Sequence, residues 1–140
     1  MTGRDRLWIA SWGPVLAWMI VIFALSSVPE APHRPGLPHA RNRQLDDAMR
    51  NTSHVVEYAL LAGLVWRASK RSRLRGSPFA WAGVWALLYA ASDEYHQSFV
   101  AGRTCSLQDW LIDFLGVALA LVFLFLYRWI WALRLQRTGI

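Results

Sequence analysis

Apolar residues fall in long runs along this chain, not in the alternating or one-faced patterns of a soluble core. The first run, Leu7 to Val28, carries no charge. At about 1.5 Å per residue it can cross a hydrocarbon layer of about 30 Å. It exceeds the roughly 7–15 residues of a secretory h-region, so a retained helix is expected rather than a cleaved leader. Pro29, Pro32, Pro35 and Pro38 then recur at the three-residue period of a polyproline II strand, a stiff spacer. Leu45, Ala48 and Met49 follow at helical spacing and suggest an interfacial lead-in. A shorter apolar segment occupies 53–69. Gly76-Ser77-Pro78 marks a turn, with Pro78 suited to the first position of a third helix over 78–97. Ser106 can cap a fourth helix over 106–134, uncharged from Phe114 to Tyr127. The pattern predicts one all-α domain over 1–140. It is an integral membrane bundle of four transmembrane helices at 7–28, 53–69, 78–97 and 106–134, with a Pro-rich outer connector at 29–50.

Charge changes the picture by setting orientation. Lys and Arg number 15 against 9 Asp and Glu, a formal charge of +6. A basic excess can mean nucleic acid, but no Gly-rich phosphate loop is present and the single Cys excludes a Cys-based zinc finger. The cations flank the apolar runs instead. With four crossings, ten of the fifteen fall on the side of the termini, including the cluster Arg67, Lys70, Arg71, Arg73 and Arg75. The positive-inside rule puts both termini in the cytoplasm of a multi-pass plasma-membrane protein. Trp8, Trp12, Trp66, Trp81, Trp129 and Trp131 fall near the same boundary, as an aromatic belt predicts, while Trp18 and Trp85 sit deeper.

That topology gathers the ionisable residues at the opposite, extracytoplasmic face. His54 and Glu57 open the second helix, Asp93, Glu94, His96 and Gln97 close the third, Arg103 lies in the following loop, and Asp109 and Asp113 open the fourth. The spacings His54-Glu57-Tyr58, Asp93-His96-Gln97 and Asp109-Asp113 are i, i+3 or i, i+4, so each helix carries a polar stripe. A charge at the bilayer centre costs about 2.5–3.5 kcal/mol on insertion scales, which turns such stripes toward the bundle interior. The plainer meaning of the stripes is an ion-pair network that pins helix ends together. The functional meaning is a polar pocket open to the outside.

Within such a pocket His54, Glu57, Asp93, Glu94 and His96 are the candidates for acid–base work, since a carboxylate can orient and charge an imidazole. Tyr58, Gln97, Arg103, Asp109 and Asp113 are the candidates for binding, with Arg103 suited to a phosphate or carboxylate. Two His with carboxylates can also hold a divalent ion, although no metal ligand and no cofactor is assigned from the sequence. HExxH and GxSxG are both absent. Ser92, Ser98, Thr104 and Cys105 are nucleophiles by type, but each such residue is more often a cap, turn or packing residue. Small residues four apart, Ala59 and Gly63, Ala86 and Ala90, Gly116 and Ala120, predict close helix contacts and leave a homo-oligomer open.

The strings His54-Val-Val-Glu57-Tyr58, Ser92-Asp93-Glu94-Tyr95-His96-Gln97-Ser98-Phe99-Val100-Ala101-Gly102-Arg103 and Asp109 through Asp113 to Gly116 resemble the VanZ-like family, over about His54 to Ala120. Two departures stand out. Arg50-Asn51 replaces the Asp-Lys pair that often precedes the His, removing a second cation beside it, and Ala101 replaces the Pro of a Pro-Gly-Arg turn. The resemblance implies a small multi-pass membrane protein linked to reduced action of glycopeptide antibiotics such as teicoplanin at the cell surface. With the outward pocket, it implies a partner that is a membrane lipid, a lipid-linked envelope precursor or a lipoglycopeptide. Three functions compete: an enzyme on such a molecule, a non-catalytic binding module, and a small transporter. The transporter ranks third, because transporter sites usually sit near the midplane.

Overall fold

The computed structural model describes residues 2–29, 40–103 and 107–138. They form four helices: α1 Gly3–Ser26, α2 Ala40–Arg71, α3 Pro78–Gln97 and α4 Leu107–Thr138, with no strand among the described residues. Thr2 caps α1, its hydroxyl accepting from the Asp5 amide while the Asp5 carboxylate accepts from the Thr2 amide.

The largest departure from expectation is the start of α2. Residues 40–50, expected from the sequence to belong to the connector, are helical and continuous with the apolar segment. Hydropathy ends a helix where charge begins, but the backbone does not. No Pro or Gly interrupts 40–52, and the helical spacing of Leu45, Ala48 and Met49 belongs to α2 itself. Leu45 and Met49 are exposed. The polyproline expectation for Pro32, Pro35 and Pro38 lies outside the described residues, as does the capping role of Ser106.

Cross-links give the helix directions. Met19 and Ser26 of α1 meet Tyr89 and Asp93 of α3, so α1 and α3 run the same way. Arg50 and His54 of α2 meet Asp109 and Asp113 of α4, so α2 and α4 are also parallel to each other. Trp12 of α1 reaches Ser72, just past the end of α2, which makes the two pairs antiparallel. The helices thus alternate in direction. The backbone of α2 comes close to all three others, most extensively to α4, while α1 meets α3 mainly through long side chains.

The most polar helix is therefore central and the most apolar ones are peripheral. α1 (Asp5–Ser26) and α4 (Leu107–Arg137) are long and apolar enough to cross a membrane. Their large side chains, Ile20, Phe23, Phe123 and Phe125 among them, point outward. An apolar exterior of this extent is foreign to a soluble monomer. Inside, Tyr58, Leu61, Ala62, Val65 and Ala68 of α2 pack on Ala82, Ala86 and Ala90 of α3, which present no bulk to the contact. Gly116 permits the closest approach: a Cβ there would strike the Val55 carbonyl oxygen and sit 3.0 Å from its Cα. Gly63, expected to serve the same purpose, makes no such contact, because a Cβ added there would meet nothing within 4 Å.

At one end of the bundle the basic and Trp residues cooperate. Trp12 donates to Ser72 and Trp81 to the Arg75 carbonyl, and Lys70 lies 5.1 Å over the Trp66 ring. α2 stops there in a Schellman turn, with the Leu74 amide donating to the Ser69 carbonyl and the Arg73 amide to the Lys70 carbonyl. Arg73 holds φ +50° in the left-handed region. Glycine relieves that cost of about 1–2 kcal/mol. Arg73→Gly is therefore expected to raise stability by about 1 kcal/mol in a detergent unfolding titration.

Candidate functional site

The other end of the bundle holds a polar cleft of about 350 Å³ between α1, α2, α3 and the loop after α3. α2 supplies Arg50, Ser53, His54 and Glu57. The spacings 50, 54 and 57 are one helix face, which is why residues from its polar lead-in and its apolar body reach the same space. α3 supplies Asp93 and Gln97, one turn apart, the loop after it supplies Arg103, α1 supplies Leu25 and Ser26, and Val28 follows just past the end of α1.

Asp93, Asp109 and Asp113 each hold a partner on another helix. Asp93 accepts from the Ser26 hydroxyl at 2.6 Å and from the Gln97 amide at 2.9 Å, which joins α1 to α3. Asp113 accepts from His54 Nδ1 at 2.8 Å, with both side chains buried, and joins α4 to α2. Asp109 pairs with Arg50 at 3.2 Å. Glu94 follows Asp93 in sequence but lies about 100° around the helix. It turns away from α1 toward His54 and Asp113, and one ligand-capable atom from each of these three lies within 4.8 Å of the other two. Tyr58 is fully buried beneath the site, its ring tilted against Tyr89 at 6.5 Å.

The candidates named from sequence thus mostly converge. His54, Glu57, Asp93, Gln97 and Arg103 line the cleft. Glu94, Asp109, Asp113 and Tyr58 are buried around it. His96 stands apart: its ring stacks on Phe23 at 4.4 Å and its Nε2 lies 3.0 Å from Ser27 Oγ, at the end of α1. The two histidines do not form a joint site. Ser92, within α3, and Ser98, at its C-cap, are exposed and donate to the carbonyls of Tyr89 and Tyr95 of their own helix. Thr104 and Cys105 lie outside the described residues.

Sequence reading missed Arg50, Ser53 and Ser26. Arg50 corrects the inference that a second cation is lost beside the His. It stands one turn before His54, lines the cleft and pairs with Asp109. The i, i+4 relation of Arg50 and His54 is a visible signal once the helix is continued to Ala40. Ser26 had no signal beyond being a polar residue at the end of an apolar run.

A second cavity, of about 370 Å³ and almost wholly apolar, lies on the same three helices. Trp12, Val15 and Met19 of α1, Leu61 and Val65 of α2, and Trp81, Trp85 and Tyr89 of α3 form it. Met19, Leu61 and Tyr89 lie one to two turns from Ser26, Glu57 and Asp93, so the apolar groove continues the seam of the polar cleft. The hydrogen bonds Tyr89 to Met19 carbonyl (2.6 Å) and Trp18 to Glu57 carbonyl (2.9 Å) cross between the two.

No curated protein and no solved structure matches this chain. The model of the VanZ/LLP1 family matches residues 11–130, which takes in α2 and α3 whole, most of α1 and α4, and every residue of the cleft. With that match and two helices apolar enough to span a bilayer, the chain is a membrane protein of the VanZ type and belongs to the VanZ/LLP1 family.

Proposed function

We propose that all four helices cross the plasma membrane, that both termini are cytoplasmic, and that the cleft faces outward to act on or recognise a cell-envelope lipid, lipid-linked precursor or lipoglycopeptide. The observation that carries this reading is the polar cleft set above an apolar groove on the same three helices. An amphiphile is the molecule that fits both. Arg50 and Arg103 suit an anionic headgroup such as a phosphate, which guanidinium groups bind through paired hydrogen bonds. The groove suits its chain. From Trp81 to Gln97 is about 24 Å along α3, close to the depth of a hydrocarbon layer. The basic, Trp-rich end then lies at the cytoplasmic boundary, where such residues concentrate.

His54 beside Asp113 supports acid–base chemistry on that headgroup. Mass spectrometry of envelope lipids from cells with and without the protein separates chemistry from recognition: a species gained or lost means reaction, and unchanged lipids mean binding alone. Arg103→Ala is expected to weaken retention of an anionic amphiphile by the purified protein about tenfold, the worth of one charge-assisted hydrogen bond. Retention equal to wild type in both Arg103→Ala and Arg50→Ala would sink the reading. The second reading, a structural ion-pair bundle, is favoured by a different fact: the same groups fasten α1 to α3 and α2 to α4.

A further inference from the structure

Behind the cleft, His54, Glu94 and Asp113 come from three different helices and meet in the bundle interior, all three buried. Two features of this cluster exceed what helix fastening needs. Asp113 is wholly buried, and while its Oδ1 accepts from His54, its Oδ2 has no hydrogen-bond partner among the described residues. A buried carboxylate oxygen without a partner is expensive, so such groups are normally satisfied by a donor or a cation. The charge balance points the same way. Glu57, Asp93, Glu94, Asp109 and Asp113 surround the site, against the described cations Arg50 and Arg103.

From this geometry we infer that His54, Glu94 and Asp113 form a binding site for one divalent transition-metal ion such as Zn²⁺. One imidazole nitrogen and two carboxylates are a donor set this class of ion accepts, and three protein ligands leave a coordination position open. Metal–ligand bonds of about 2.1 Å place ligand atoms no more than about 4.2 Å apart. Atoms already within 4.8 Å of one another need only a small side-chain adjustment. The ion takes the position between His54 Nδ1 and Asp113 Oδ1, with the ring proton carried on Nε2 instead, supplies the partner that Asp113 Oδ2 lacks and offsets two of the surplus negative charges. Because His54 also lines the cleft, the ion sits at the cleft's inner wall.

The test uses the full chain, free of any affinity tag, purified in detergent, stripped with chelator and titrated with ZnCl₂. One Zn²⁺ per chain is expected by elemental mass spectrometry, with a rise in melting temperature on adding the ion. Co²⁺ in its place should give visible d–d absorption bands. His54→Ala, Glu94→Gln and Asp113→Asn should each weaken Zn²⁺ binding at least tenfold, while His96→Gln should bind as wild type does. Wild-type protein that takes up no stoichiometric Zn²⁺ and shows no thermal shift overturns the inference, whether or not the variants fold. Binding lost in His96→Gln but kept in His54→Ala also overturns it. The measurement contains no envelope lipid, so its failure leaves the amphiphile reading standing, and failure of that reading leaves this one.

Discussion

Gly116→Val is expected to prevent the bundle from assembling, and Gly116→Ala to lower its stability by about 2–3 kcal/mol, the scale of overpacking in a well-fitted core. The reason is the obstacle. A new Cβ meets the Val55 backbone, its carbonyl oxygen first and its Cα at 3.0 Å, and backbone within a helix cannot swing aside as a side-chain tip does. α2 and α4 must separate, and they are the most extensively packed pair. The contact lies one residue from His54 and three from Asp113. Separation there also strains the 2.8 Å His54–Asp113 bond and the 3.2 Å Arg50–Asp109 pair. Gly63→Ala is the matched control, since nothing lies within 4 Å of its added carbon. It should be neutral or stabilising by up to about 1 kcal/mol through helix propensity. Unfolding titrations in mixed detergent read both. Equal effects from the two substitutions would contradict the packing described.

That contrast shows what a sequence can and cannot tell. Gly63 and Gly116 both stand four residues from an alanine in an apolar segment, and nothing local distinguishes them. Only the path of α2 over α4 does. The polar stripes were legible because ionisable residues in apolar segments are costly enough that their spacing carries information. Arg50 was not, because in a polar stretch a charge is ordinary. It becomes informative only when α2 is known to begin at Ala40, which brings residues 50, 54 and 57 onto one face. The end of α3 shows a finer limit. Asp93, His96 and Gln97 share a stripe, yet only Asp93 and Gln97 enter the cleft while His96 packs on Phe23. Asp93 and Glu94 are adjacent in sequence but serve opposite sides of α3, one bonded to Ser26 of α1 and the other turned toward His54 and Asp113. A helix periodicity gives the angle between side chains, and the neighbouring helices decide which angles point inward.

Asp113→Ala is expected to cost about 3–5 kcal/mol, because it leaves a buried imidazole without the carboxylate that holds it. The more instructive variant replaces both members. In His54→Leu with Asp113→Val, neither member of the pair is left without the other, and a buried pair exchanged for apolar residues of similar size is often neutral or even stabilising. The double variant should therefore unfold within about 1 kcal/mol of wild type and be more stable than Asp113→Ala alone. Its function should nevertheless be lost, since the only imidazole lining the cleft among the described residues is gone while Arg50, Asp93 and Arg103 remain to bind. The paired measurements are unfolding in detergent and the lipid species or teicoplanin sensitivity of cells that express each variant. If the double variant folds and still functions as wild type does, His54 and Asp113 are merely a fastening between α2 and α4, and the proposed role of the cleft falls to Glu57, Asp93 and the two arginines. If it folds and is inactive, the pair is kept for what it does at the cleft, because an apolar pair would have held the helices as well.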